Sequence, residues 1–120
     1  MPKNPLKDCG SSPNCVSSTA SAPSKRISPL PFRASASEVM KALREVILSL
    51  KRTRIVEETS FYLRAECRSY LGFVDEVEFF IDSEHRLLHM RSASHTGYWD
   101  LGVNRRRLEF IKDQLQKKAL

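Results

Sequence analysis

The stretch FYLRAECRSYLGFVDEVEFFIDSEHRLLHMRSAS, residues 61–94, decides the fold of this chain. In Phe61–Ser69, the residues Phe61, Leu63, Ala65 and Cys67 alternate with Tyr62, Arg64, Glu66 and Arg68, which is the period of a strand with one buried face. Gly72 marks a turn. Phe73–Asp82 then sets Phe73, Val77, Phe79 and Ile81 on one face and Glu76 and Glu78 on the other. Asp82–Glu84 supplies a second turn, and His85–Ser94 reads as a further strand. With Arg54–Glu57 before them there are four strands, and their short connections favour an antiparallel meander.

Helices flank the strands. Ser35, with Glu38 three residues later, is a capping-box signature. Val39, Leu43, Val46, Ile47 and Leu50 then recur at helical spacing through residue 51. After the loop Thr96–Val103, Asn104 has the character of an N-cap for a final helix with Leu108, Ile111 and Leu115 as its apolar stripe. The order α-β-β-β-β-α, with one apolar face per element, predicts an α+β two-layer sandwich: a four-stranded antiparallel sheet with both helices on one face.

Tyr62, Val74 and Phe80 fall on the other face among the charges. A domain this small buries only about 60–70% of its unfolded surface, so leaving those groups wet is costly. A cover is expected, from a second subunit or from the N-terminal arm. Residues 1–34 are rich in Ser and Pro, yet Ile27, Leu30 and Phe32 stand between prolines in a form suited to extended docking. The expected organisation is a flexible terminus over 1–5, an extended arm over 6–34 packed on the sheet, and the α+β domain over 35–120.

Composition narrows the function classes. The 120 residues fit one domain, and no apolar run reaches the roughly 18 residues of a membrane span. No apolar stretch near the N-terminus resembles a signal sequence, so the cytoplasm is the expected location. The formal charge of +6 is uneven. Residues 1–34 hold five basic side chains against Asp8, whereas residues 35–120 hold fifteen basic against thirteen acidic. A dilute basic arm without aromatic partners argues against nucleic acid. In a reducing cytosol, Cys9, Cys15 and Cys67 read as three thiols. No metal or cofactor site is expected. His85 and His89 lie about 13 Å apart on a strand, and Cys9 and Cys15 lack a second ligand pair.

Three constellations stand out. Arg64, Glu66 and Arg68 should face Glu76 and Glu78, with Arg91 and His89 joining from the fourth strand, as an ion network or a polar pocket. Arg105, Arg106 and Arg107 crowd a helix start that is already positive. That calls for an anionic partner, either Asp100 and neighbouring carboxylates or a bound anion. Asp75 shares the parity of Val77 and Phe79. It is expected to reach solvent at the sheet edge; if buried, an arginine of the final helix is its natural donor.

Five segments also carry a resemblance: Ser11–Ser18, Tyr62–Glu66, Gly72–Phe79, Arg91–Ser94 and Asp100–Arg105. In this order they resemble the uncharacterised bacterial and plant family named domain of unknown function 1499, from about Leu6 to Leu115. The resemblance implies that the Ser-Pro-Asn-Cys arm belongs to the domain. Its motif positions fall on Cys15, Arg64, Glu66, Asp75, Glu78, Arg91, Ser92, Asp100, Asn104 and Arg105.

The expected function is a non-catalytic module, monomeric or weakly dimeric, that binds a small anion or an acidic protein segment. Its candidate residues are Asn14, Cys15, Arg64, Glu66, Glu78, Arg91, Ser92, Asp100, Asn104 and Arg105, placed between arm and sheet. Two alternatives stand beside it. One is an enzyme with Cys15, or Glu66 and Glu78, as reactive groups. The other is a structural ion network in a protein-interaction domain.

Overall fold

A computed structural model describes residues 3–69, 72–95 and 102–120. In chain order the elements are β1 (Cys15–Ser17), β2 (Leu30–Pro31), α1 (Ala36–Ser49), β3 (Thr53–Glu58), β4 (Tyr62–Arg68), β5 (Val74–Asp82), β6 (Leu87–Ser94) and α2 (Val103–Gln116), with a 3-10 turn at Pro23–Lys25. The chain is α+β. Strands β3 to β6 form the antiparallel meander read from residues 61–94.

The sheet has six strands rather than four, because the arm contributes two. Cys15–Ser17 pairs with Ala93–Arg91, and Leu30–Pro31 pairs with Leu88–Leu87, both antiparallel to β6. Together β1 and β2 are one interrupted edge strand with residues 18–29 looped out. Strands of three and two residues show no alternation, which is why composition hides them. Pro31 fits an edge position, where the amide it lacks would face away from the sheet, and it discourages pairing with another chain.

The core lies between the sheet and the helices. Ser35 caps α1 by accepting the Glu38 amide at 3.1 Å, which satisfies one of the donors that a helix start leaves open. Leu43 and Ile47 of α1, and Leu108, Ile111 and Leu115 of α2, are fully buried against Leu63, Val77, Phe79, Ile81, Leu88 and Met90. Each such side chain contributes roughly 1.5–3 kcal/mol on burial. Val16, Ile27, Leu30 and Phe32 of the arm join this core, so the arm closes one end of the helix layer.

Four local expectations change. Strand β6 starts at Leu87 rather than His85, because Asp82 accepts the His85 amide at 3.1 Å and Arg86 adopts a positive φ of 53°. Phe73 precedes β5 and is exposed, not inward-facing. Helix α2 begins two residues early, after Gly102 in the left-handed conformation (φ 80°). Asn104 therefore lies in its first turn, buried, and is not the cap. Gly97 and Asp100 of the preceding loop lie outside the described residues.

Candidate functional site

The sheet face opposite the helices carries the charged ladder. The register sets Arg64 opposite Glu78 and Glu78 opposite Arg91, but also Glu66 opposite Glu76. Two carboxylates facing across strands repel, and separate cations offset the pair. Arg54 holds Glu66 at 3.0 Å, which keeps the Glu66 carboxyl below its usual range. Arg64 at 3.7 Å and His95 at 3.0 Å hold Glu76, and Arg64 also reaches Glu57 at 3.5 Å. Glu78 is buried and receives the Arg91 guanidinium at 3.2 Å and the Tyr62 hydroxyl at 2.6 Å. Burial, then the bond to Glu78, pushes the Tyr62 phenol well up, so it stays a donor. The carboxylates of this ladder are thus matched by partners from the strands and by His95 just beyond β6.

His89 on the same face sits 2.9 Å from the Ser18 hydroxyl, whose oxygen also accepts the Met90 amide at 3.0 Å. Burial lowers the His89 pKa from 6.5, against the pull of Asp82 and with a smaller push from His85. The native state then binds fewer protons here than the unfolded chain. The stabilising contribution is present above pH 6.5 and is lost as pH falls below it. Exposed His85, raised by Asp82, has the opposite sign, and solvent screens it. Urea unfolding between pH 8 and 5 should therefore show a falling stability, and His89→Gln should flatten part of that slope.

The arm meets the sheet at its edge. Cys9 and Cys15 form a disulfide with Cα atoms 5.5 Å apart, buried with Ala20 and Ala93. The reading of three thiols is corrected: Cys67 is the free one. Gly10, at φ 59°, and the Ser12 amide bonded to the Cys9 carbonyl turn the chain back on itself. Spacing alone does not reveal that turn. Arg91 Nε donates to the Lys7 carbonyl at 3.1 Å, so residues near Lys7 reach the charged face. The pairs formed by Arg64 and Glu66 run to Arg54, Glu57 and Glu76, not to the arm.

Behind the edge, on the helix side, Asn104 joins three elements. Its Nδ2 donates to the Asn14 carbonyl at 3.0 Å and to Ser94 Oγ at 3.1 Å. Its Oδ1 accepts the Ser92 hydroxyl at 2.5 Å and Arg107 at 2.8 Å. Asn14, Ser92 and Asn104 are each at most 1% exposed. Buried amides and hydroxyls persist only when hydrogen-bonded, and this network meets that condition with the arm as one of its walls.

The three arginines of α2 have separate roles. Arg105 donates to the Ser24 carbonyl at 2.9 Å and the Arg26 carbonyl at 3.2 Å, fastening the looped-out part of the arm. Arg107 pairs with Asp75 at 2.8 Å. Asp75 points toward the helices and is largely shielded, so its expected solvent exposure is corrected: the final helix supplies the donor. Asp75→Asn should cost about 1–2 kcal/mol in a thermal or urea melt, because Arg107 keeps its charge in a part-buried position. Arg106 folds back over Gly102, with Nη1 only 3.0 Å from where a Cβ would stand.

Arg106 also lines two cavities. One, of about 480 Å³, is bounded by Lys51, Arg52, Arg68, Arg106, Arg107 and Asp75, with Cys67, Val103 and Phe110 among its apolar lining. The other, of about 270 Å³, lies between the arm and α2 and includes Cys15, Lys25, Arg105, Arg106 and Glu109. Among the described residues, Asp82, Glu84 and His85 bring possible metal-ligand atoms within 4.8 Å of one another. Glu84 and His85 are exposed, and His85 already bonds Asp82 at 2.8 Å, an ordinary turn arrangement.

The family described as a protein of unknown function (DUF1499) matches residues 5–115. The chain belongs to that family. No curated protein matches it. The match covers the arm, so in this DUF1499 chain the arm is part of the domain that the family shares.

The DUF1499 chain brings Asn14, Ser92 and Asn104 together at one buried junction, with Cys15 and Arg105 beside it. Glu78 and Arg91 form a separate pair, and Arg64 and Glu66 stand farther out on the ladder. Asp100 lies outside the described residues. Sequence reasoning missed Lys51, Arg52, Arg68 and Phe110 as a group, since a helix end, two strand ends and a helix flank share no motif. The arginine run at residues 105–107 is the one signal that pointed to this place. No helix among the described residues is long and apolar enough to cross a membrane.

Proposed function

We propose that this DUF1499 chain is a non-catalytic module that binds a small anion or an acidic segment of a partner. The supporting observation is the cavity of about 480 Å³, whose described lining holds five cations and the single carboxylate Asp75. Arg107 already neutralises Asp75. Concentrated positive charge beside a low-dielectric wall attracts anions and strengthens charge-assisted hydrogen bonds to them. The charged ladder, where the ligand is expected from the sequence, has its carboxylates matched, and this supports moving the site to the flank of α2. For the ladder itself, the structural reading is the better one: its charges fix register and hold the arm.

The catalytic alternative has less support. Cys15 is oxidised, and arginines hold Glu66 and Glu78. Composition favours the cytoplasm, but the buried Cys9–Cys15 disulfide supports an oxidising compartment, and we give the covalent feature the greater weight. Inorganic phosphate and pyrophosphate at low ionic strength test the proposal by thermal shift. At about ten times the dissociation constant they should stabilise the fold by about 1.4 kcal/mol. Arg52→Ala with Arg106→Ala should abolish that shift and Arg54→Ala should leave it. An unchanged melting temperature with both anions would leave only the structural reading.

A further inference from the structure

Helix α2 has a second apolar surface besides the one it buries. Leu108, Ile111 and Leu115 enter the core. Val103 and Phe110, seven residues apart and hence on one face, remain 38% and 50% exposed. Arg106 and Arg107 lie between them in the helical repeat. All four line the cavity of about 480 Å³, where Lys51, Arg52 and Arg68 complete the cationic side and Cys67 and Leu50 extend the apolar one. A half-wet phenylalanine beside a part-exposed valine, on a helix whose Leu108, Ile111 and Leu115 are fully buried, marks a contact surface more often than an accident of composition. The charge beside it limits what that contact can be. A purely apolar partner would strip water from several cations without replacing it, and a bare inorganic anion would leave the Phe110 ring exposed.

From this juxtaposition we infer that the cavity takes an amphipathic anion: a phosphate or carboxylate head held by Arg52, Arg68 and Arg106, carrying an apolar body that lies against Val103 and Phe110. The inference rests on the anion-binding reading above and adds the chemical class of the ligand. Such a site is mostly apolar on one side with a few convergent polar groups on the other, which is the usual make-up of a small-molecule site. Cys67 is a reporter built into the wall. It is the free thiol, 6% exposed, with the Thr53 hydroxyl 3.6 Å from its sulfur, so an occupant of the cavity shields it from a thiol reagent.

The test compares inorganic phosphate, phenyl phosphate and hexyl phosphate by calorimetry on the full chain with its disulfide intact, and follows the rate at which iodoacetamide alkylates Cys67. Phenyl or hexyl phosphate should bind at least fivefold more tightly than inorganic phosphate and slow Cys67 alkylation severalfold. Phe110→Ala should remove that advantage while leaving inorganic phosphate affinity within twofold. Its exposed position keeps the fold intact, which circular dichroism checks. Co-sedimentation with vesicles of anionic phospholipid assigns the source: vesicle binding lost in Phe110→Ala points to a lipid head group, and tight binding of the soluble esters alone points to a free metabolite. Either pattern supports the inference. Inorganic phosphate binding with no gain from the apolar group, or a gain that survives Phe110→Ala, overturns it and leaves the simpler anion reading standing. Absence of binding by all three overturns both.

Discussion

Asn104→Ala is expected to lower the unfolding free energy by about 3–4 kcal/mol, the largest effect of any single change considered. The side chain removed is fully buried and serves, among the described residues, the Asn14 carbonyl, Ser94, Ser92 and Arg107. Alanine satisfies none of them and leaves a small polar cavity. Two buried groups lose a bond that water cannot easily replace, and the Arg107 charge loses an acceptor while Asp75 keeps the other guanidinium nitrogen occupied. Domains of this size are stable by only about 5–15 kcal/mol, so the melting temperature should fall by more than 10 °C. Urea unfolding with an unchanged m-value checks the loss. A loss under 1 kcal/mol would mean that water or a shifted side chain replaces Asn104, and that the junction does not hold the arm.

The disulfide comes second. Cys9 and Cys15 close a loop of six-residue separation, and the entropy such a short loop removes from the unfolded chain is worth about 2–3 kcal/mol. Cys15→Ser adds a hydroxyl to a position 3% exposed, so the loss should reach the upper end of that range. The change acts mainly on the arm. Lys7 should release Arg91, and amide exchange should quicken over residues 6–17 before it does in β4 or β5. Thiol titration in non-reducing denaturant checks the covalent premise: one thiol should react per chain before reduction and three after it. Three thiols at the outset would remove the cross-link from the account.

The contrast between what could be read and what could not has a physical cause. The meander was legible because Leu63, Ala65, Val77, Phe79 and Ile81 repeat at the period of two that a half-buried strand requires. Helix α1 was legible because Ser35 and its apolar stripe agree. Strands β1 and β2 were not, because three and two residues cannot display a period, and their stability comes from β6 and the core behind them. Residue type alone points to Asn104 as the cap. Gly102 takes that place because the entering chain needs a positive φ, which frees Asn104 to turn inward. Asp75 could be given its correct parity but not its depth, which depends on where α2 crosses the strand ends. Strand parity places Arg64, Glu66, Glu76, Glu78 and Arg91 on the ladder, but Arg68 at the end of β4 lines the cavity beside α2 instead. Closure of the ladder by Arg54, Glu57 and His95 depends on strand register and a loop residue that periodicity does not fix. The cation-lined cavity is assembled from Lys51–Arg52, Arg68 and Arg106–Arg107, three places far apart in the chain, and only the crowded helix start hinted at it.

The competing locations for an anion, the flank of α2 and the charged ladder on the opposite sheet face, separate in one titration. Isotope-labelled protein is followed by amide chemical shifts as phosphate is added at low salt. Progressive, saturable shifts are expected at residues 51–53, 67–69 and 103–107, with 64–66, 78 and 91 unmoved. Shifts confined to Arg64, Glu66, Glu78 and Arg91, or none at any concentration that saturates simple phosphate sites, would contradict a site on the flank of α2.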